Sequence, residues 1–157
     1  MKRRLDNIGV KIDFLSISNI NVNTKEEAIL QLVNILGKAD YLADKSLFEQ
    51  AILERERTLS TYIGHEIGLP HAQSSGVKEP CVVVGKLSKP VKWTEEEEFV
   101  QIVFLIAVPR DNQNNLHLKV LSNLARLLMH EDFRTKLSEL DDTATVALLN
   151  KSVKEDN

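Results

Sequence analysis

The sequence predicts an α/β sandwich, with helices towards both ends of the chain and strands between them. Apolar residues recur at helical spacing early on, at Ala28, Ile29, Leu32, Val33 and Leu36, and again late, at Leu118, Leu121, Leu124, Ala125 and Leu128. Between these lie apolar runs of strand length, Cys81 to Leu87 and Val100 to Val108, rich in β-branched residues. Helical stripes that enclose strand segments bury their apolar faces by layering helices on a sheet.

The elements follow in order. Ile8 to Leu15 reads as an opening strand. Thr24-Lys25-Glu26-Glu27 is a capping box, T-x-x-E, and starts the first helix, which Gly37 is placed to stop. Asp44 caps a second helix carrying Leu47, Phe48, Ala51 and Ile52. Ile67 to Leu69 is a short strand, and Pro90 to Trp93 reads as a turn or sheet edge. Asn114 and Asn115 precede the long amphipathic helix. A break near Glu131-Asp132 leads to a helix with Phe133 and Leu137, and Thr143 caps a last one with Val146, Leu148 and Leu149. Lys151 to Asn157 is expected to fray. At 157 residues the chain has the length of one domain, with its core between about residues 8 and 150.

Composition narrows the function. The single cysteine, Cys81, excludes an intramolecular disulfide and fits a reducing compartment, most simply the cytoplasm. MKRRLDNIGVKIDFLS is basic but lacks the apolar stretch of a signal peptide. The longest apolar run, Ile102 to Pro109, falls well short of the roughly 20 residues that span a bilayer. A net charge of −3 with both signs interspersed argues against nucleic acid as a partner. Glu95 to Glu98 reads as a solvated loop.

The residues suited to chemistry are few. Pro70 stiffens the backbone entering His71, as an imidazole requires if one nitrogen is to be aimed. A neutral imidazole is a good nucleophile near pH 7 and can carry a group covalently. His117 falls in the first turn expected of the long helix, where helix-end N–H groups favour a nearby anion. Arg55 offers a planar fork matched to phosphate oxygens, with Arg57 as its competitor. Thr61 and Ser60 offer hydroxyl donors, Thr61 the better placed. His65, His71, Cys81 and His117 are a soft-ligand inventory without close metal-binding spacing, so no metal is expected. Cys81, within CVVVG, reads as a buried small hydrophobe. No P-loop, G-x-S-x-G or G-x-G-x-x-G occurs, which leaves nucleotidase, hydrolase and dinucleotide readings unsupported.

The segment Ser60 to His71, STYIGHEIGLPH, resembles the active-site segment of enzyme IIA domains of the bacterial phosphoenolpyruvate-dependent sugar phosphotransferase system, fructose/mannitol family. That family's pattern is roughly S-T-x-[IL]-G-x-x-[IV]-A-[IV]-P-H. HAQSSGVKEP, from His71, is similar to the family's HAKSxxVKEP, and NNLHLKVL to its helix-opening N/E-x-H-L. The resemblance extends over about Ile8 to Leu149. It implies a mixed β-sheet flanked by helices, and a phosphohistidine at His71 supported by His117. It places Arg55, of the L-x-R-E element, and Thr61 at the phosphoryl group. It further implies a cytoplasmic phosphotransferase that needs no cofactor. Its partners would be the phosphocarrier protein HPr, a cysteine of an enzyme IIB and, indirectly, a membrane IIC component. HAQSSGVKEP leans towards fructose-type members. A regulatory, nitrogen-type enzyme IIA acting through partner binding is the alternative. The chain departs from the pattern at Tyr62, His65 and Gly68, where the family favours glycine, a polar Asn or Glu, and alanine.

Overall fold

The computed structural model describes residues 12–111 and 115–155, with the side chains of residues 117, 154 and 155 outside the description. The chain opens on β1 (Asp13–Ile20). The expected strand from Ile8 shares only its last three residues with β1, and residues 8–11 lie outside the described part. Helix α1 (Lys25–Lys38) starts at the expected capping box. Thr24 Oγ1 accepts the Glu27 N–H at 3.1 Å, and the Glu27 carboxylate accepts the Asn23 N–H at 2.8 Å. Gly37 is not the stop. The helix runs one residue further, and the left-handed turn falls at Asp40, φ +70°. Tyr41 N–H then closes on the Leu36 carbonyl at 3.0 Å.

Helix α2 (Lys45–Thr58) is capped by the Asp44 side chain, which accepts the Leu47 N–H. There follow β2 (Ile67–Gly68), β3 (His71–Ser74), β4 (Cys81–Lys92) and β5 (Phe99–Pro109). The expected turn at Pro90 lies inside β4. The β4–β5 register slips between Lys86 and Val91, so Pro90 owes no ladder hydrogen bond there, and β1 pairs no further along β4 than Leu87. Trp93 N–H closes the hairpin on the Glu98 carbonyl at 2.8 Å, with Glu95 to Glu98 exposed at its tip.

The last three helices are α3 (Leu116–Leu128), α4 (Glu131–Glu139) and α5 (Asp142–Glu155). Asn115 precedes α3 in the left-handed region; Asn114 lies outside the described residues. In α3 the buried stripe is Leu116, Val120, Leu124 and Leu128, whereas Leu118, expected inward, is 52 % exposed. Two residues along a helix turn the side chain to the far face, so the stripe that starts at Leu116 puts Leu118 outside. The last helix is capped by Asp141, whose carboxylate accepts the Ala144 N–H at 2.8 Å, rather than by Thr143. The expected fraying past Lys151 does not occur: the helix continues to Glu155 because Val153 is buried in the core.

The sheet is mixed, ordered β1-β4-β5-β2, with β3 also on β5. β1 runs parallel to β4, β4 antiparallel to β5, and β2 and β3 parallel to β5. Alternation along β4 sends Cys81 and Val83 into a core with α1 and α2, and Val82 and Val84 into a second core with α3, α4 and α5. The result is a sheet with helices on both faces, as expected.

Candidate active site

The segment between α2 and β3 is a small ribbon laid against β5. Tyr62 pairs antiparallel with Gly68, Ile63 N–H donates to the Ile67 carbonyl at 3.0 Å, and Leu69 N–H to the Thr61 carbonyl at 3.0 Å. Its tip is Gly64, His65 and Glu66, all left-handed, with φ of +92°, +55° and +61°. His65 is therefore an exposed tip residue. Tyr62 packs its ring on the α1–α2 core. Gly68 is small because Trp93 lies on it: a Cβ there would sit 3.0 Å from two indole atoms.

One register runs through both β2 and β3: Ile67 opposite Ile102, His71 opposite Ile106. The two strands are one path broken at Pro70, which has no N–H to donate, while its carbonyl accepts the Ile106 N–H at 2.9 Å. His71 thus begins a strand rather than ending one. Its pairing with Ile106 places it on the α3 side of the sheet, opposite in face to Cys81. Among the described residues no group of three or more His, Cys, Asp or Glu could hold a metal ion.

The half-buried imidazole of His71 has Nδ1 2.8 Å from the Leu69 carbonyl oxygen. A carbonyl can only accept, so Nδ1 carries the proton, and in the neutral ring the lone pair is on Nε2. Backbone geometry thereby selects which nitrogen is nucleophilic.

His117 is the second residue of α3, which packs against β3; its side chain lies outside the described part of the structure. Arg55 stands in the last turn of α2, which also packs against β3. Its guanidinium donates from Nη1 to the Leu59 carbonyl at 2.9 Å, capping the end of that helix. Arg57 is exposed and lines a groove with Lys25, Glu56 and Trp93 whose lining does not include His71. Thr61 is buried, and its hydroxyl donates to Glu56 Oε1 at 2.7 Å. That proton is spent inside the protein, so Thr61 sits here as a ligand of a buried carboxylate.

Glu56 is the residue sequence reasoning passed over. It is 3 % exposed, accepts the Thr61 N–H at 3.0 Å as well as the hydroxyl, and pairs with Lys25 Nζ at 3.1 Å. The available signal was spacing: Phe48, Ile52 and Glu56 stand four apart on one helical face, so this glutamate continues an apolar stripe.

Fold and site together define a small α/β domain built around one oriented imidazole. Residues 10–152 match the family model described as phosphoenolpyruvate-dependent sugar phosphotransferase system, EIIA 2. A fructose-specific EIIA component of Haloferax volcanii is 36% identical over 124 residues, covering 78% of this chain and 80% of that protein. A fructose-specific EIIABC component of Bacillus subtilis is 36% identical over 135 residues, 85% of this chain but only 21% of that longer protein. Among solved structures, a complex of enzyme IIAMTL and phosphorylated enzyme IIBMTL from Escherichia coli superposes with a TM-score of 0.72 at 28% identity, covering 85% of this chain and 92% of that one. The chain belongs to the type 2 enzyme IIA family of the phosphoenolpyruvate-dependent sugar phosphotransferase system.

Proposed function

We propose that the protein is a cytoplasmic phosphocarrier. It takes a phosphoryl group from phospho-HPr onto Nε2 of His71 and passes it to an enzyme IIB that serves uptake of a fructose-like sugar. The observation that carries the mechanism is the 2.8 Å contact between His71 Nδ1 and the Leu69 carbonyl. The Nε2 lone pair forms the new N–P bond while the donor's P–N bond breaks, its electron pair returning to the donor imidazole. The ring gains positive charge as the bond forms, and the Nδ1–H bond to the carbonyl strengthens with it. The IIB cysteine thiolate then attacks phosphorus and the pair returns to Nε2; Nδ1 keeps its proton throughout. Transfer needs in-line positioning and donors on the phosphoryl oxygens. Arg55 and His117 are assigned that second task, on helices packed against the His71 strand. Fructose is favoured by the names of the two relatives at 36% identity.

The test is a purified relay of phosphoenolpyruvate, enzyme I and HPr, with the label mapped by mass spectrometry under alkaline conditions. Label on His71, lost in His71→Ala, is the expected result; a labelled His71→Ala protein overturns the assignment. His117→Ala should still be labelled at His71 but transfer more slowly, and label on His117 would reverse the two roles. Failure of the label to move on to any enzyme IIB would make the protein a regulatory phosphoacceptor instead.

A further inference from the structure

Glu56 has no part in the chemistry above, yet it is an almost fully buried carboxylate in a small domain. Such a charge is retained only where it is paired and hydrogen-bonded. The contacts of Glu56 form a path that ends at the nucleophile. Lys25 Nζ, itself 5.5 Å from the centre of the Trp93 ring, pairs with Oε2 at 3.1 Å. Oε2 also accepts the Thr61 N–H at 3.0 Å and Oε1 the Thr61 hydroxyl at 2.7 Å. The Thr61 carbonyl accepts the Leu69 N–H at 3.0 Å. The Leu69 carbonyl holds His71 Nδ1 at 2.8 Å.

The ribbon from Thr61 to Leu69 needs this anchor. A two-stranded ribbon is marginal by itself in water, and this one carries three consecutive left-handed residues at its tip. β5 holds one of its edges; Glu56 grips the other by both polar groups of Thr61. We infer that Glu56 is a positioning residue for His71: by clamping Thr61 it fixes the Leu69 carbonyl that keeps the imidazole in its Nδ1–H form. Lys25 neutralises the clamp and ties it to the start of α1. The inference shares with the proposed function only the identity of the nucleophile, and its first two readouts do not need phosphoryl transfer.

Nitrogen-15 NMR of the His71 ring, amide exchange at Leu69 and the rate of His71 phosphorylation test it. Wild type should show a protonated Nδ1 and an unprotonated Nε2 at neutral pH. Glu56→Gln keeps the shape and one acceptor oxygen but cannot accept both Thr61 protons or pair with Lys25. It should move the ring towards the Nε2–H form, lower Leu69 protection at least tenfold and slow phosphorylation roughly tenfold. Thr61→Val, which keeps the amide bond and loses the hydroxyl, should lie between, and decides the matter if Glu56→Gln does not fold. Thr61→Ser should restore the wild-type ring signals. A wild-type ring in the Nε2–H form overturns the inference. So do Glu56→Gln and Thr61→Val proteins with wild-type ring signals and Leu69 protection. If wild-type His71 is never phosphorylated, the functional reading falls while the ring and exchange data still judge the clamp.

Discussion

Replacing Gly68 by alanine should destabilise this protein, although the resembling pattern favours alanine there. Two effects oppose each other. Alanine in a strand gains about 0.5–1 kcal/mol over glycine through the smaller entropy lost on folding. Gly68 is not in the left-handed region, so no backbone strain offsets that gain. Against it, the new Cβ would lie 3.0 Å from Trp93 Cε2 and Nε1 and 3.2 Å from Cζ2. The indole cannot swing away freely: it is 3 % exposed, packed in the α1–α2 core and covered by the Lys25 ammonium. Overpacking of this kind costs typically about 1–3 kcal/mol, so the clash wins. Urea unfolding of Gly68→Ala should show a lower midpoint at unchanged slope. Trp93 is the only tryptophan in the chain, so its fluorescence reports the displaced ring directly. The double-mutant cycle with Trp93→Phe isolates the contact. In the phenylalanine background Gly68→Ala should be neutral or stabilising by up to about 1 kcal/mol. A Gly68→Ala protein as stable as wild type, or the same loss in both backgrounds, would refute the reasoning.

Arg55→Ala should slow transfer through His71 by roughly tenfold or more, since charge-assisted contacts to phosphate are worth about 1.5–3 kcal/mol. Arg55→Lys should recover part of this, lacking the planar fork. If Arg57→Ala is damaging and Arg55→Ala silent, the wrong arginine has been chosen; rapid-quench transfer rates decide. The Cys81 thiol is pushed up to about 12 from its ordinary 9.0, by burial first and then by the charge of Asp13. An acid raised in the folded state keeps its proton there while the unfolded chain loses it. Its contribution is therefore intact below about pH 9 and falls by about 1.4 kcal/mol per pH unit between about 9 and 12. Urea midpoints at pH 8 to 10.5 should drop more steeply for wild type than for Cys81→Ala; parallel slopes would contradict this.

Much of the fold was legible because its signals are local. Helix α1 announces itself by a capping box and a stripe within one turn of each other, and β4 and β5 by unbroken β-branched runs. The errors came where a distant partner outweighed the local cue. Gly37 looks like a stop, but Leu36 and Tyr41 close the turn around Asp40 instead. Pro90 looks like a strand end, but a register slip against β5 absorbs its missing N–H. Leu118 fits a helical stripe as well as Leu116 does, and only the position of the sheet chose between them.

The sequence by itself determined that His71 is the chemical centre, because a proline-stiffened imidazole in STYIGHEIGLPH is a contiguous pattern. It also placed Arg55 and His117 on the helices that pack against the strand of His71. What it could not contain is which ring nitrogen is nucleophilic, since that depends on where the Leu69 carbonyl points. Nor could it show that the Thr61 hydroxyl is committed to Glu56, or that a glycine at position 68 answers a tryptophan twenty-five residues later. Hydrogen bonds and close packing act over about 3–4 Å in space. Residues far apart in the chain meet at that range only once the sheet has brought them together, and so the tertiary structure alone decides them.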